Sequence, residues 1–156
     1  MTTVRNWALA GALAVSLTGC GGRAGYAPVS GVVTLNGKPY RNGVVMFLPA
    51  ATKDNPTPSR GSTGYTNENG RFTLKSVDGD VGAAIGKHHV RIATRYSKEL
   101  NGYEVWDADS NKAVTAGVDP IPPEWNSKTT KEFDVPRGGT DKANFDIVTV
   151  RTLKRP

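Results

Sequence analysis

Asp107-Ala-Asp109-Ser-Asn111 places oxygen-bearing side chains at alternate positions, the spacing with which a twelve-residue calcium-binding loop begins. The pattern then lapses. Its sixth position should be Gly and is Lys112; its twelfth should be Glu and is Val118. An Asx-rich turn is the expected reading, with a weak Ca²⁺ site in a loop as the alternative. His88-His89 also invites a metal, but neighbours on a strand point to opposite faces and cannot chelate one ion together. His88 shares the parity of Val90 and Ile92 and is expected to be packed or hydrogen-bonded in the core, with His89 on the surface. Tyr103, Trp106 and Trp125, beside Asp107, Asp109 and Glu124, form the remaining group. Aromatic faces stack on sugar rings and carboxylates accept hydroxyl hydrogen bonds, so these residues are the candidate ligand site. The alternative is that the three rings cap one end of the domain and bury themselves. Neither a serine nor a cysteine sits in a nucleophile-type turn. No catalytic residue, metal or cofactor is expected, and the chain reads as a non-enzyme.

The single cysteine, Cys20, demands a different account. It follows a start whose one charge is Arg5 and an apolar run, Trp7–Leu17, broken only by Ser16. That is the layout of an export signal, and the run is shorter than the ~20 apolar residues a spanning helix needs. Leu17-Thr18-Gly19-Cys20 resembles the lipobox of bacterial lipoproteins. The resemblance implies a signal peptide over 1–19, cleavage before Cys20, lipid on its sulfur and acylation of the new amino group. One acyl chain binds a membrane only marginally, so stable anchoring takes more than one. An ordinary secreted protein with a free thiol is the competing reading, and a lone exposed thiol invites stray disulfides. The expected location is the cell membrane or outer membrane, reached by export.

Removal of 1–19 leaves 137 of the 156 residues, enough for one domain with a core. With no second cysteine, packing alone must hold it. The formal net charge is +6, with basic residues scattered apart from Arg151, Lys154 and Arg155 in a tail over 151–156. An exported chain of this kind is not expected to meet nucleic acid. Its charge suits anionic headgroups or acidic polysaccharide, or simply a solvated surface.

After a flexible tether over 20–27, the sequence turns to strands. Val29, Gly31, Val33 and Leu35 share one parity, as in a half-buried strand. Asn36-Gly37 is a turn signal. Val44–Leu48 is continuously apolar and is expected to be buried on nearly both faces. Asn67-Glu68-Asn69-Gly70 reads as a hairpin turn into a strand whose Phe72 and Leu74 face the core. Lys87–Tyr96 alternates. Residues 97–128 read as one long irregular loop, a functional or mobile segment. Strands over 129–135 and 144–150, joined by Pro136-Arg137-Gly138-Gly139, close the domain. No stretch holds a helical period, which argues for an antiparallel all-β sandwich.

Four segments resemble carboxypeptidase regulatory-like domains: "PVSGVVTLNGKPYRNGVVMFLP", "TGYTNENGRFTL", "IGKHHVRI", with His88 where an aromatic is usual, and "IPPEWNSKTTKEFDV". The resemblance runs from Val29 to Val150. It implies a seven-stranded transthyretin-like sandwich over 28–150 and no peptidase activity, since the family is named for a non-catalytic module. The hydroxyisourate hydrolases of that fold end in Tyr-Arg-Gly-Ser, whereas this chain ends Lys154-Arg155-Pro156. The function expected is therefore a lipid-anchored binding, adhesion or scaffolding module of the cell envelope, with membrane, polysaccharide or another envelope protein as partner. The alternative is carbohydrate binding through 97–128.

Overall fold

The structure is a computed structural model that describes residues 25–53, 56, 60–107 and 110–150. Cys20, the expected signal peptide over 1–19, the start of the expected tether, Asp109 and residues 151–156 lie outside the described residues. In chain order the strands are β1 (Tyr26–Ala27), β2 (Ser30–Leu35), β3 (Lys38–Pro39), β4 (Gly43–Pro49), β5 (Ser62–Tyr65), β6 (Arg71–Thr73) and β7 (Lys75–Ser76). They continue with β8 (Ala83–Ala84), β9 (Gly86–Thr94), β10 (Tyr96–Ser97), β11 (Gly102–Asp107), β12 (Lys112–Ala116), β13 (Glu132–Val135) and β14 (Phe145–Ile147). A single 3₁₀ turn, Pro123–Trp125, completes the described elements, so the protein is all-β. Among the described residues no helix is long and apolar enough to cross a membrane.

One sheet has the antiparallel order β13-β9-β4-β5-β7. Facing it, β2 takes β14 in parallel on one edge and β3 and β6 antiparallel on the other. This second sheet is thus mixed rather than wholly antiparallel. Val33, Phe72, Phe145 and Ile147 of the second sheet share one core with Val45, Phe47, Val90, Ile92 and Val135 of the first. Phe47 is its hub: fully buried, with ring centroids of His88, Phe133 and Phe145 at 5.6, 5.4 and 6.2 Å.

The turns follow local chemistry. Asn36 and Gly37 both have positive φ, 51° and 75°, and connect Leu35 directly to its partner Lys38. The Asn67 side chain accepts from the backbone N–H of Asn69 and of Arg71 at 2.9 and 3.0 Å and so shapes the 67–70 turn. That turn does not make a hairpin, however. β5 pairs with β4 and β7, while β6 pairs with β2, so the turn carries the chain from one sheet to the other. The Pro136–Gly139 turn does the same between β13 and β14.

Period-2 alternation survives in β9: His88, Val90, Ile92 and Thr94 are buried while Lys87, His89 and Arg91 are exposed. Strand β4 departs from expectation. Val45 and Phe47 are buried, but Val44 and Met46 are half-buried and Leu48 is 46% exposed. A sandwich covers only one face of each sheet, and an apolar outer face is tolerated where it is small. Tyr26–Ala27, expected to belong to the tether, instead pairs with Ala83–Ala84 and buries Ala27.

Two outcomes test this core. Phe47→Ala is expected to cost ~3–5 kcal/mol and to lower the melting temperature by roughly 10 °C or more. An unchanged thermal transition would remove Phe47 from the centre. The second concerns His88. Its Nδ1 bonds the Gly86 carbonyl oxygen at 2.9 Å and so carries the hydrogen, which leaves Nε2 buried without a hydrogen-bond partner beside the Phe47 ring. Burial holds the imidazole below its ordinary range, against smaller raising effects of the Gly86 carbonyl and the Asp134 charge. The unfolded chain therefore takes up the proton first as pH falls. Stability owed to neutral His88 is complete above about pH 6.5 and is lost as pH drops through that value toward the folded-state one. His88→Phe, measured by thermal melts between about pH 7 and pH 5, should lose part of that acid sensitivity. Parallel melting curves for the two proteins would overturn the assignment.

Candidate functional site

The segment 97–128 is not an irregular loop. β10, β11 and β12 form a three-stranded antiparallel meander from Tyr96 to Ala116, with Tyr103 opposite Ala116 and Asp107 opposite Lys112. Of the Asx-rich stretch, Asp107 ends β11 and Asn111 directly precedes β12. Asn111 takes the left-handed conformation at φ 52° and the Ser110 hydroxyl donates to Asp107 Oδ2 at 2.8 Å. Among the described residues no group of three or more His, Cys, Asp or Glu side chains could hold a metal ion.

Strand parity separates the aromatic residues. Tyr103 and Trp106 are three positions apart on β11 and so project to opposite faces. Tyr103 meets the Tyr96 ring edge-on at 5.2 Å. Trp106 lies under the Arg41 guanidinium, 4.0 Å from its carbon. Trp125, at the 3₁₀ turn, packs edge-on against Phe145 at 6.0 Å and is covered by the Lys131 ammonium at 4.6 Å. The three rings do not form one platform. Trp125 supports the core, Trp106 packs beneath Arg41, and Tyr103 borders a cavity.

That cavity is an open cleft of about 320 Å³ lined by Arg91, Tyr103, Val118, Asp119, Asn126 and Ser127, among others. It lies at the lower end of the size range of small-molecule sites. Asp119 and Ile121, from the buried stretch Asp119-Pro120-Ile121-Pro122, form its floor. Asp119, 7% exposed, fastens this stretch to β9. It accepts from the Thr94 hydroxyl at 2.5 Å, the Thr94 backbone N–H at 3.1 Å, the Ile121 N–H at 2.9 Å and the Asn126 amide at 2.8 Å. The Thr94 hydroxyl spends its one hydrogen on Asp119, so the Tyr40 hydroxyl, 2.6 Å away, is the donor to Thr94. Burial pushes the Tyr40 phenol well above its ordinary range; the Thr94 bond opposes that shift and the Asp119 charge adds to it. Tyr40 is accordingly a permanent donor at neutral pH. Above the floor, Arg91 Nε donates to Asn126 Oδ1 at 2.7 Å, and Asn126 is itself held by Asp119.

A larger open groove of about 620 Å³ runs beside Tyr65, Asn67, Arg71 and Lys75. There the Asn67 side-chain oxygen is committed to its own turn.

Of the residues expected to bind a ligand, only Tyr103 reaches the cleft. Trp106, Trp125 and Asp107 are not on its lining, and Asp109 lies outside the described residues. Arg91, Asp119, Asn126 and Ser127 were not anticipated. One signal was available: Thr94 continues the inward parity of Val90 and Ile92, and a buried hydroxyl needs a partner.

No family model and no curated protein sequence matches the chain. Among solved structures it is similar to the crystal structure of a 9R-lipoxygenase from Cyanothece PCC8801, at 15% identity and a TM-score of 0.31. The likeness covers 81% of this chain and 16% of that one, and at that score it bears on neither fold nor activity.

Replacing Asp119 with Ala strands two backbone N–H groups, the Thr94 hydroxyl and the Asn126 amide in a buried setting. The expected cost is on the order of 2–5 kcal/mol in chemical denaturation, because each stranded buried donor carries ~1–3 kcal/mol and some regain water. A loss below about 1 kcal/mol would mean that Asp119 does not fasten the segment.

Proposed function

We propose that the protein is a lipid-anchored component of the cell envelope, held by Cys20, whose β domain acts as a non-catalytic binding, adhesion or scaffolding module. We further propose that this domain is of the carboxypeptidase regulatory-like, seven-stranded transthyretin-like type. The observation that carries the reading is Leu17-Thr18-Gly19-Cys20 directly after an apolar run, with a sole cysteine in the chain. The first strand supports it. Tyr26 lies six residues after Cys20, a reach of at most ~22 Å when extended, so a lipid on Cys20 would keep the domain close against the bilayer. The all-β core, built without any disulfide, is the kind of body such a tether would display.

Carbohydrate binding is the second reading, and a specific observation favours it. The cleft bordered by Tyr103 is lined by the segment 97–128 together with Arg91 of β9, and so brings an aromatic residue, an amide, a serine and a guanidinium to one place. A polysaccharide of the envelope is the partner that this combination suits; other envelope proteins are the partners of the scaffold reading.

Cys20→Ser is expected to leave an uncleaved or soluble protein, checked by detergent phase partitioning and mass of the mature chain. A variant that still enters the detergent phase at the wild-type mature mass would sink the anchored reading.

A further inference from the structure

The described cleft holds one cation whose position is fixed by the fold. Arg91 sits on the outer, exposed face of β9, opposite in parity to the core residues Val90 and Ile92. Its Nε is bound to Asn126 Oδ1, Asn126 Nδ2 is bound to Asp119 Oδ2, and Asp119 is bound to the backbone of Thr94. Thr94 is three residues along the same strand as Arg91. The chain of bonds therefore closes on β9 itself and holds the guanidinium in one orientation. Among the described residues its two terminal amino groups have no hydrogen-bond partner, which leaves their N–H donors for a ligand. An arginine held this way loses little freedom on binding, and its planar fork matches a carboxylate.

The Asp119 carboxylate in the floor keeps its charge, offset by the Arg91 guanidinium on the same lining, but offers a ligand no open acceptor site. A carboxylate has about four acceptor sites, and Asp119 has four donors bound inside the protein. It acts as the anchor of the cleft rather than as a ligand group. The remaining wall supplies the ring of Tyr103, braced by Tyr96, and the exposed side chain of Val118. Ser127 is on the lining as well, and its side chain carries a hydroxyl. A fixed cation, a braced aromatic face and a hydroxyl, in a space of about 320 Å³, describe a receptor for one ring that bears a carboxylate.

We propose that this cleft binds an acidic sugar unit, with the uronate carboxylate on the Arg91 guanidinium and a ring face against Tyr103. The inference rests on the carbohydrate reading of the cleft and specifies its ligand class. The formal net charge of +6, which falls to +5 when residues 1–19 with Arg5 are removed, favours approach of an acidic polymer over a neutral one.

Calorimetric titration of the detergent-solubilised full-length protein with trigalacturonate and with galactotriose tests it. Trigalacturonate should bind, and galactotriose should bind at least tenfold more weakly. Arg91→Gln should weaken trigalacturonate about 10- to 100-fold, the range for a lost charge-assisted hydrogen bond pair, with galactotriose unaffected. Val118→Asp adds a like charge on an exposed wall residue without touching the bonds that hold Arg91, and should weaken trigalacturonate in the same sense. It also serves if Arg91→Gln proves unstable. Equal binding of both sugars, unchanged by either substitution, would overturn the acidic-sugar inference and leave the carbohydrate reading standing. Trigalacturonate binding that neither substitution weakens would place the acid site elsewhere and overturn the inference too. Binding of neither sugar would overturn both.

Discussion

Strand β9 is gripped on both edges, by β4 over Gly43–Pro49 and by β13 over Glu132–Val135, and its side chains alternate between interior and solvent. Everything of consequence in the domain is referred to that alternation. Inward, His88, Val90 and Ile92 help fill the space between the sheets and Thr94 receives the Asp119 carboxylate. Outward, Arg91 meets Asn126 and the cleft. A slip of one residue in the pairing would reverse every one of these placements, putting Arg91 in the core and Val90 in water. The two-edged pairing is what forbids the slip.

The core that β9 faces is held by shape. Phe47, Phe72, Phe133 and Phe145 meet in tilted or edge contacts, apart from the stacked Phe72–Phe145 pair, with centroids between 5.4 and 6.3 Å. Such contacts add to the area term of burial. His88 belongs to this cluster as a ring that carries one bonded and one bare nitrogen. The bare nitrogen is an acceptor with no donor, and it is tolerable only while the ring is neutral.

Asp119 does at the edge of the sheet what an interstrand ladder does within it. The stretch 117–122 forms no strand, yet four donors from Thr94, Ile121 and Asn126 hold it on β9. The hairpin β11–β12 and the 3₁₀ turn that carries Trp125 are thereby set on either side of one fixed point, with the cleft between Tyr103 and Asn126. Tyr40 extends the same chain of hydrogen bonds into the core beyond Thr94.

The sequence by itself determined those features whose cause is local. Alternation marks β2 and β9, because one face must be dry and the other wet, and the parity of His88, Phe72 and Leu74 could be read directly. The Asn36-Gly37 turn follows from the ease with which Asn and Gly take positive φ. The β11–β12 hairpin was hidden because all of Lys112–Thr115 is exposed and only Val105 in β11 is deeply buried among its apolar residues, so no buried stripe betrays the strands. Which strands pair across the turns at 67–70 and 136–139 was decided by the meeting of the two sheets, since a turn signal reports a reversal and not its partners. The cleft belongs wholly to tertiary structure. Arg91, Tyr103, Asp119 and Asn126 come from β9, β11 and the segment after β12, and what joins them is a buried carboxylate that could be satisfied only by donors distant in the chain.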